Sequence, residues 1–371
     1  MRDLSREGKG QLGLLQVLRG LSALAIVLFH LGVYYDHGAF LGGTPRFFTN
    51  FASHGALGID CFFCLSGFLM AWVHGADLGR PERATRFVLR RFVRIYPAYV
   101  VLVAAKVIYY TATDWGSSPV PPLSRVLNSL FLLPLAEGSY YELVVKVAWT
   151  LTYEVFFYAL FTVAIVVGAR LARWGAAVWV LSIAVYAFWH PADGGWRPLD
   201  FVLSPYHIEF LCGVLVCAIA RARSWPAFAG PVLAGLAVAA LAGWIASGTC
   251  AALSASLAQK AGAGIVFSAL ILGVVLGDLR FSVRPPGLLL FLGAASYSVY
   301  LVHFELLQLL GRIVERSPLA RDPVVLGWAF VGVGIVLLGA GFLYHKAVEL
   351  PAMAWCRKRL EAFTASSSAS S

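Results

Sequence analysis

The run Leu14-Leu-Gln-Val-Leu-Arg19-Gly-Leu-Ser-Ala-Leu-Ala-Ile-Val-Leu-Phe-His30-Leu31 decides how this chain is built. It is long and apolar enough to cross a bilayer as a helix, which takes about 20 residues. Between Arg19 and His30 a helix turns by about 1,100°, so the two side chains finish about 20° apart on one face and about 16 Å apart along the axis. An arginine and a histidine aligned inside a membrane span are costly and mark a functional site by default. The pair points to an enzyme or a transporter rather than a passive anchor.

Composition extends this reading to the whole chain. Of 371 residues, 60% are hydrophobic and 13% charged, where soluble domains carry roughly 25% charge. Apolar segments at 14–34, 55–74, 93–113, 146–168, 175–190, 203–220, 227–247, 261–278, 288–310 and 324–345 predict an all-α integral membrane protein, a polytopic bundle of about ten helices. Leu123–Leu135 is too short to cross and reads as interfacial or re-entrant. The first span follows a basic stretch, but it is too long for a signal peptide and lacks a small-x-small cleavage site, so it reads as a retained helix. Residues 1–363 form one transmembrane domain, and the Ser/Ala-rich end, 364–371, reads as a disordered tail.

Basic residues set the orientation. With the N-terminus inside, the cytoplasmic side receives Arg2, Arg6, Lys9, the arginines from Arg80 to Arg94, Arg170, Arg173, Arg221, Arg223, Arg280, Arg284, Lys346 and Arg357-Lys358-Arg359. The outer side receives only Arg46, Arg125, Lys146, Arg197, Lys260, Arg312, Arg316 and Arg321. Both termini are therefore expected in the cytoplasm. This bias accounts for the net charge of +10 without a nucleic-acid partner. Cys61 and Cys64 form a CxxC inside an apolar helix with no second ligand pair, so they read as packed thiols and no metal is expected.

Five further polar islands interrupt the apolar spans. The second span opens Gly58-Ile-Asp60-Cys-Phe-Phe-Cys-Leu-Ser66-Gly67-Phe, and the fourth opens Trp149-Thr-Leu-Thr-Tyr153-Glu154. A carboxylate at either depth needs a partner or a proton. The inner loop Arg80–Pro97 brings Arg83, Arg86, Arg90 and Arg94 to one helical face by spacings of three and four. Guanidinium groups arranged so suit a polyanion arriving from the cytoplasm. The ninth span carries Ser296-Tyr297-Ser298-Val-Tyr300-Leu-Val-His303-Phe-Glu305, and Glu349-Leu-Pro351 lies where the tenth leaves the membrane. His37, His54, His74, His190 and His207 fall in loops or near span ends and receive no role.

Taken together, Arg19…His30, Gly58-Ile-Asp60…Leu-Ser-Gly67-Phe, Arg91-Phe-Val-Arg94-Ile-Tyr-Pro97, Trp149-Thr-Leu-Thr-Tyr-Glu154, Ser296–His303 and Glu349-Leu-Pro351 resemble the acyltransferase-3 family of membrane acyltransferases. The likeness runs from about residue 11 to residue 359, with the motifs in order. Thr150 and Thr152 stand where serines are usual, and Phe304-Glu305 replaces a common x-Pro. The extracytoplasmic hydrolase-like domain that some relatives carry is not expected.

The resemblance implies transfer of an acyl group, often acetyl, from a coenzyme A thioester to a hydroxyl of a saccharide, a lipid-linked glycan or a related acceptor. It implies residence in the bacterial inner membrane. His30 is then the general base, acting directly or through an acyl-imidazole. Asp60 or Glu154 would fix its tautomer and stabilise the imidazolium. Arg19 would hold the donor or neutralise charge on the carbonyl oxygen. Arg91 and Arg94 would grip the coenzyme phosphates with Arg90 as an accessory, and Trp149, Tyr153, Tyr297 and His303 would bind substrate. Because Arg19 is near the inner face and His30 is about 16 Å outward, a cytoplasmic thioester must reach deep into the bundle. The competing reading is a proton-coupled transporter of a small solute or acyl group, which buried Arg, His, Asp and Glu would also serve. No inverted repeat or paired broken helices support it. A structural membrane protein gains nothing from the desolvation cost of such charges.

Overall fold

A computed structural model describes residues 12–37, 52–112, 120–134, 143–189, 198–222, 224–252, 254–317 and 322–369. Arg2, Arg6, Lys9, Arg46, Arg197, Arg223, Arg321, His190 and most of the loop between the first two spans lie outside the described residues. Among the described residues all regular structure is helical, and ten helices are long and apolar enough to cross a membrane. The α-helices in order are α1 (Gly13–His37), α2 (Leu57–His74), α3 (Ala84–Ala112), the short α4 (Leu123–Phe131), α5 (Trp149–Val167), α6 (Ala169–Trp189) and the short α7 (Pro198–Val202). There follow α8 (Tyr206–Ala222), α9 (Ala229–Ala246), α10 (Leu257–Phe281), α11 (Gly287–Glu315), α12 (Pro323–Tyr344), a π-helical turn (His345–Glu349) and α13 (Leu350–Ala369).

Local chemistry explains several boundaries. The first N–H groups of a helix have no partner within it, and α1 finds one on another helix. The Asp278 carboxylate of α10 accepts from the amides of Leu14 at 2.9 Å and Leu15 at 3.3 Å. Ser256 and Asp322 cap α10 and α12 by accepting from Gln259 and from Val324 and Val325. Gly168, at φ +87°, ends α5 and lets α6 begin at the next residue.

The interior is built on α1, α2, α8, α10 and α11, with α3 and α5 closing one side. Small residues permit the closest contacts. A Cβ on Gly67 of α2 would fall 1.9 Å from the Phe210 carbonyl oxygen, and one on Gly213 of α8 would fall 1.9 Å from that of Cys64. Outside this core, α6, α9 and α12 expose Trp174, Leu181, Phe188, Leu236, Trp328 and Ile335, as helices facing hydrocarbon should.

The expected spans are present with shifted ends. The Arg80–Pro97 run, read as a loop before a span at 93, belongs instead to α3, which runs unbroken through Pro97. Tyr297 and Tyr344 donate to the Ile95 and Ala98 carbonyls on either side of that proline. Helical structure continues past Glu349-Leu-Pro351, and the last candidate span reaches Leu360. The backbone of α13 extends to Ala369, over most of the tail expected to be disordered, with neither Gly nor Pro after Pro351 to stop it. The Leu123–Leu135 segment forms the nine-residue α4, too short to cross.

Candidate active site

Three arginines and a carboxylate from three helices converge on one cavity. It lies between α1, α2, α3, α5 and α11 and, together with the solvent space at its mouth, holds about 970 Å³ of atom-free space. Arg19, Arg91, Arg94, Glu154, Tyr158, Ser66, Ser296 and Tyr297 supply its polar lining. Ile59, Phe62, Phe63, Thr150 and Tyr300 line it as well. A second recess of about 1090 Å³, bounded by Leu12, Gln16, Trp72 and Phe291, shares Arg19 and Leu69 with the first.

Each arginine is held differently. Arg19 makes two long contacts with neutral groups, 3.3 Å to Gln16 Oε1 and 3.4 Å to Ser296 Oγ. The fields of Arg94, Glu154 and Glu349 also reach it. Arg91 donates from Nη2 to His74 Nε2 at 2.8 Å, and that ring in turn donates from Nδ1 to Asp77 at 2.9 Å. Its guanidinium lies 5.6 Å from the ring centroids of both Phe87 and Tyr158, and its buried Nε has no hydrogen-bond partner. Arg94 pairs with Glu349 at 2.5 Å and lies 5.4 Å from the Tyr297 ring centroid. The fully buried Glu349 is itself fixed by Ser298 Oγ and His345 Nδ1, both donating at 2.7 Å. The π-helical turn that carries His345 and Glu349 is a rare conformation, found frequently at functional sites. Glu154 accepts from Tyr158 in a short hydrogen bond and from Ser66 at 3.3 Å.

The cavity has more positive than negative charge, and Arg91 Nε is a buried donor left unsatisfied. Guanidinium groups so placed could hold an anionic group by charge-assisted hydrogen bonds.

His30 stands one layer away from the cavity wall. Tyr300, which lines the cavity, donates to the Val147 carbonyl at 2.7 Å and lies 2.7 Å from Thr150 Oγ1. Its ring centroid is 5.8 Å from that of His303. His303 Nε2 is 3.1 Å from His30 Nδ1, while Phe29 and Phe304 contact the His30 ring at 5.0 and 4.9 Å between centroids. Neither Asp60 nor Glu154 hydrogen-bonds His30.

The structure thus gathers some of the sequence candidates and separates others. Arg19, Arg91, Arg94, Glu154 and Tyr297 share the cavity, and His30 and His303 touch each other. Arg90 is exposed and does not line the cavity. Asp60 does not orient the histidine: with Glu209 it belongs to a buried cluster around Lys260, whose ammonium is 2.5 Å from Asp60 Oδ1 and 3.9 Å from Glu209 Oε1. Tyr153 is buried with its hydroxyl on Ser204, and Trp149 packs against it and Tyr206. His74, Glu349, Ser66 and Tyr158 were given no role from sequence. The i,i+3 step from His74 to Asp77 and the i,i+4 step from His345 to Glu349 are the signals that could have found two of them.

Residues 13–345 match a family model described as an acyltransferase domain. The chain is 27% identical to "Acyltransferase MdmB" of Streptomyces mycarofaciens, covering 94% of this chain and 93% of that one. It is 27% identical to "Exopolysaccharide production protein ExoZ" of Rhizobium meliloti, covering 76% and 88%. It is also 27% identical to "Nodulation protein 10" of Rhizobium leguminosarum bv. viciae, covering 91% and 92%. No solved structure matches the chain.

Proposed function

Because the chain belongs to the acyltransferase-3 family of membrane acyltransferases, we propose that it moves an acyl group, acetyl in the first instance, from a coenzyme A thioester to a saccharide hydroxyl. The observation that carries this reading is the cationic cavity that runs from Arg19, Arg91 and Arg94 to Tyr300, one side-chain layer from the His30–His303 pair. The end bearing the arginines faces the cytoplasm, and the donor enters there. Arg91, with its unpartnered Nε, and Arg94 hold phosphate oxygens by charge-assisted hydrogen bonds. The name of the Rhizobium meliloti relative supports a polysaccharide or its precursor as acceptor.

In this reading His30 removes the hydroxyl proton as the acceptor oxygen bonds to the thioester carbonyl carbon. Arg19, about 16 Å from His30 along α1, helps Arg91 and Arg94 hold the donor. As the carbon–sulfur bond breaks, the imidazolium returns its proton to the departing sulfur. Ester and free thiol are the products, and the histidine ends as it began. The donor supplies only the activated acyl group.

The test is acyl transfer from radiolabelled acetyl-coenzyme A to a crude membrane glycan extract, comparing wild type with His30→Ala. We expect label in glycan with wild type, and loss of transfer in the variant by about 10²-fold or more, with donor binding retained. Equal transfer by the variant removes His30 as the base. Absence of donor binding to wild type, with solute uptake lacking any covalent product, supports the transporter reading instead.

A further inference from the structure

The His30–His303 contact determines which nitrogen of His30 is the base, and the argument needs only donors and acceptors. His303 is completely buried, and its Nδ1 lies 2.6 Å from the Tyr300 carbonyl oxygen and 3.2 Å from that of Val299. Carbonyl oxygens only accept, so the hydrogen of His303 is on Nδ1. In a neutral imidazole the other nitrogen is then an acceptor. That acceptor, Nε2, is 3.1 Å from His30 Nδ1, so His30 must donate from Nδ1. The Ile26 carbonyl oxygen, 3.1 Å from the same atom, makes the same demand. The lone pair of neutral His30 is left on Nε2.

We propose that His303 is the positioning residue of this site: it holds the His30 hydrogen on Nδ1, makes Nε2 the base, and stabilises the imidazolium through an imidazole lone pair. The inference rests on the reading of His30 as general base. It assigns His303 the work that a carboxylate performs in a hydrolytic triad, at a place where neither Asp60 nor Glu154 reaches. When Nε2 of His30 takes the acceptor's proton, the Nδ1–H to His303 Nε2 becomes a charge-assisted hydrogen bond, about twice as strong as the neutral one. His303 keeps its own hydrogen toward Tyr300 throughout and acts through His30. The contacts from Phe29 and Phe304 to the His30 ring keep it facing its partner.

Two substitutions and one spectrum test the proposal on the full-length protein in nanodiscs. His303→Phe keeps a ring but loses the acceptor, and His303→Gln keeps an acceptor oxygen and a donor amide. With acetyl-coenzyme A and the glycan extract, the Phe variant should lose about 10²-fold in kcat with little change in donor KM. The Gln variant should recover most of that loss. Wild-type kcat in the Phe variant, or a Gln variant no better than Phe, overturns the proposal. In protein labelled with ¹⁵N-histidine, the His30 resonances are those lost in His30→Asn. They should report a protonated Nδ1 and a bare Nε2, and a bare Nδ1 overturns the proposal whatever the activity. Wild type that transfers no acyl group while His30 shows a protonated Nδ1 would overturn the reaction, with the tautomer assignment intact.

Discussion

At the scale of single residues, the guanidinium of Arg91 is aimed as well as charged. His74 accepts from it and Asp77 holds His74 in the tautomer that can do so, while Phe87 and Tyr158 flank the group. Replacing His74 by Phe leaves Arg91 charged but without its acceptor. The expected result is a donor KM raised about tenfold, equivalent to 1.4 kcal/mol, with kcat little changed. Donor titration in steady state measures it, and an unaltered KM would return His74 to a packing role. The sequence displayed Arg19, His30, Arg91 and Arg94 plainly, because a charged side chain in an apolar run stands out against its neighbours. Their partners were hidden for a physical reason. His74, Glu349 and His303 act across 17, 255 and 273 positions respectively, and no local period encodes such pairs. Asp60 misled for the same reason: its lysine is 200 positions away.

At the scale of helices, hydropathy located the ten spans but not which of them touch. The α2–α8 crossing depends on two glycines, each facing the other helix's backbone at a separation no Cβ tolerates. This crossing also seats Phe63 against Phe210, stacked with ring centroids 4.6 Å apart, next to the cavity that Phe63 lines. Gly67→Ala or Gly213→Ala must push the helices apart, an overpacking cost of about 1–3 kcal/mol. Gly175→Ala in α6 is the control, because nothing lies within 4 Å of the added carbon and alanine is the better helix former by about 1 kcal/mol. Thermal unfolding in detergent should show a lower Tm for the first two variants and an equal or higher one for the third. Identical melting of all three would mean that the crossing can relax. From the sequence, Gly67 could be noted only as part of a motif; the facing Gly213 needed the fold. The arginine-rich run reads as a loop in the sequence because six arginines from Arg80 to Arg94 interrupt the apolar pattern. Pro97 removes the helical bond to the Val93 carbonyl, while Tyr297 and Tyr344 hydrogen-bond the nearby Ile95 and Ala98 carbonyls and tie this part of α3 to its neighbours.

At the scale of the whole molecule, two helices overrun the bilayer at the same end. The α3 span takes 32 residues from Pro81 and the last span 37 residues to Leu360, or about 48 and 55 Å as helix against a hydrocarbon core of about 30 Å. Their overhangs carry Arg83, Arg86 and Arg90 on one helix and Arg357, Lys358 and Arg359 on the other. The two are held together by packing of α13 on α3 and by the Arg94–Glu349 pair. The positive-inside rule predicts the cytoplasmic side for a basic overhang of this kind, and α3, which carries one of them, also carries Arg91 and Arg94 of the cavity. In a Cys356→Ala background, single cysteines at Arg86 and Lys358 should react with a membrane-impermeant maleimide in inverted vesicles and not in intact spheroplasts. A cysteine at Arg316, beyond the far end of α11, should show the opposite pattern. Labelling of Arg86→Cys and Lys358→Cys from opposite sides would break the helix order derived above. Labelling of both from outside would leave the fold standing but turn the cavity's arginines away from the cytoplasm, and a coenzyme A thioester could then no longer be the donor that reaches them.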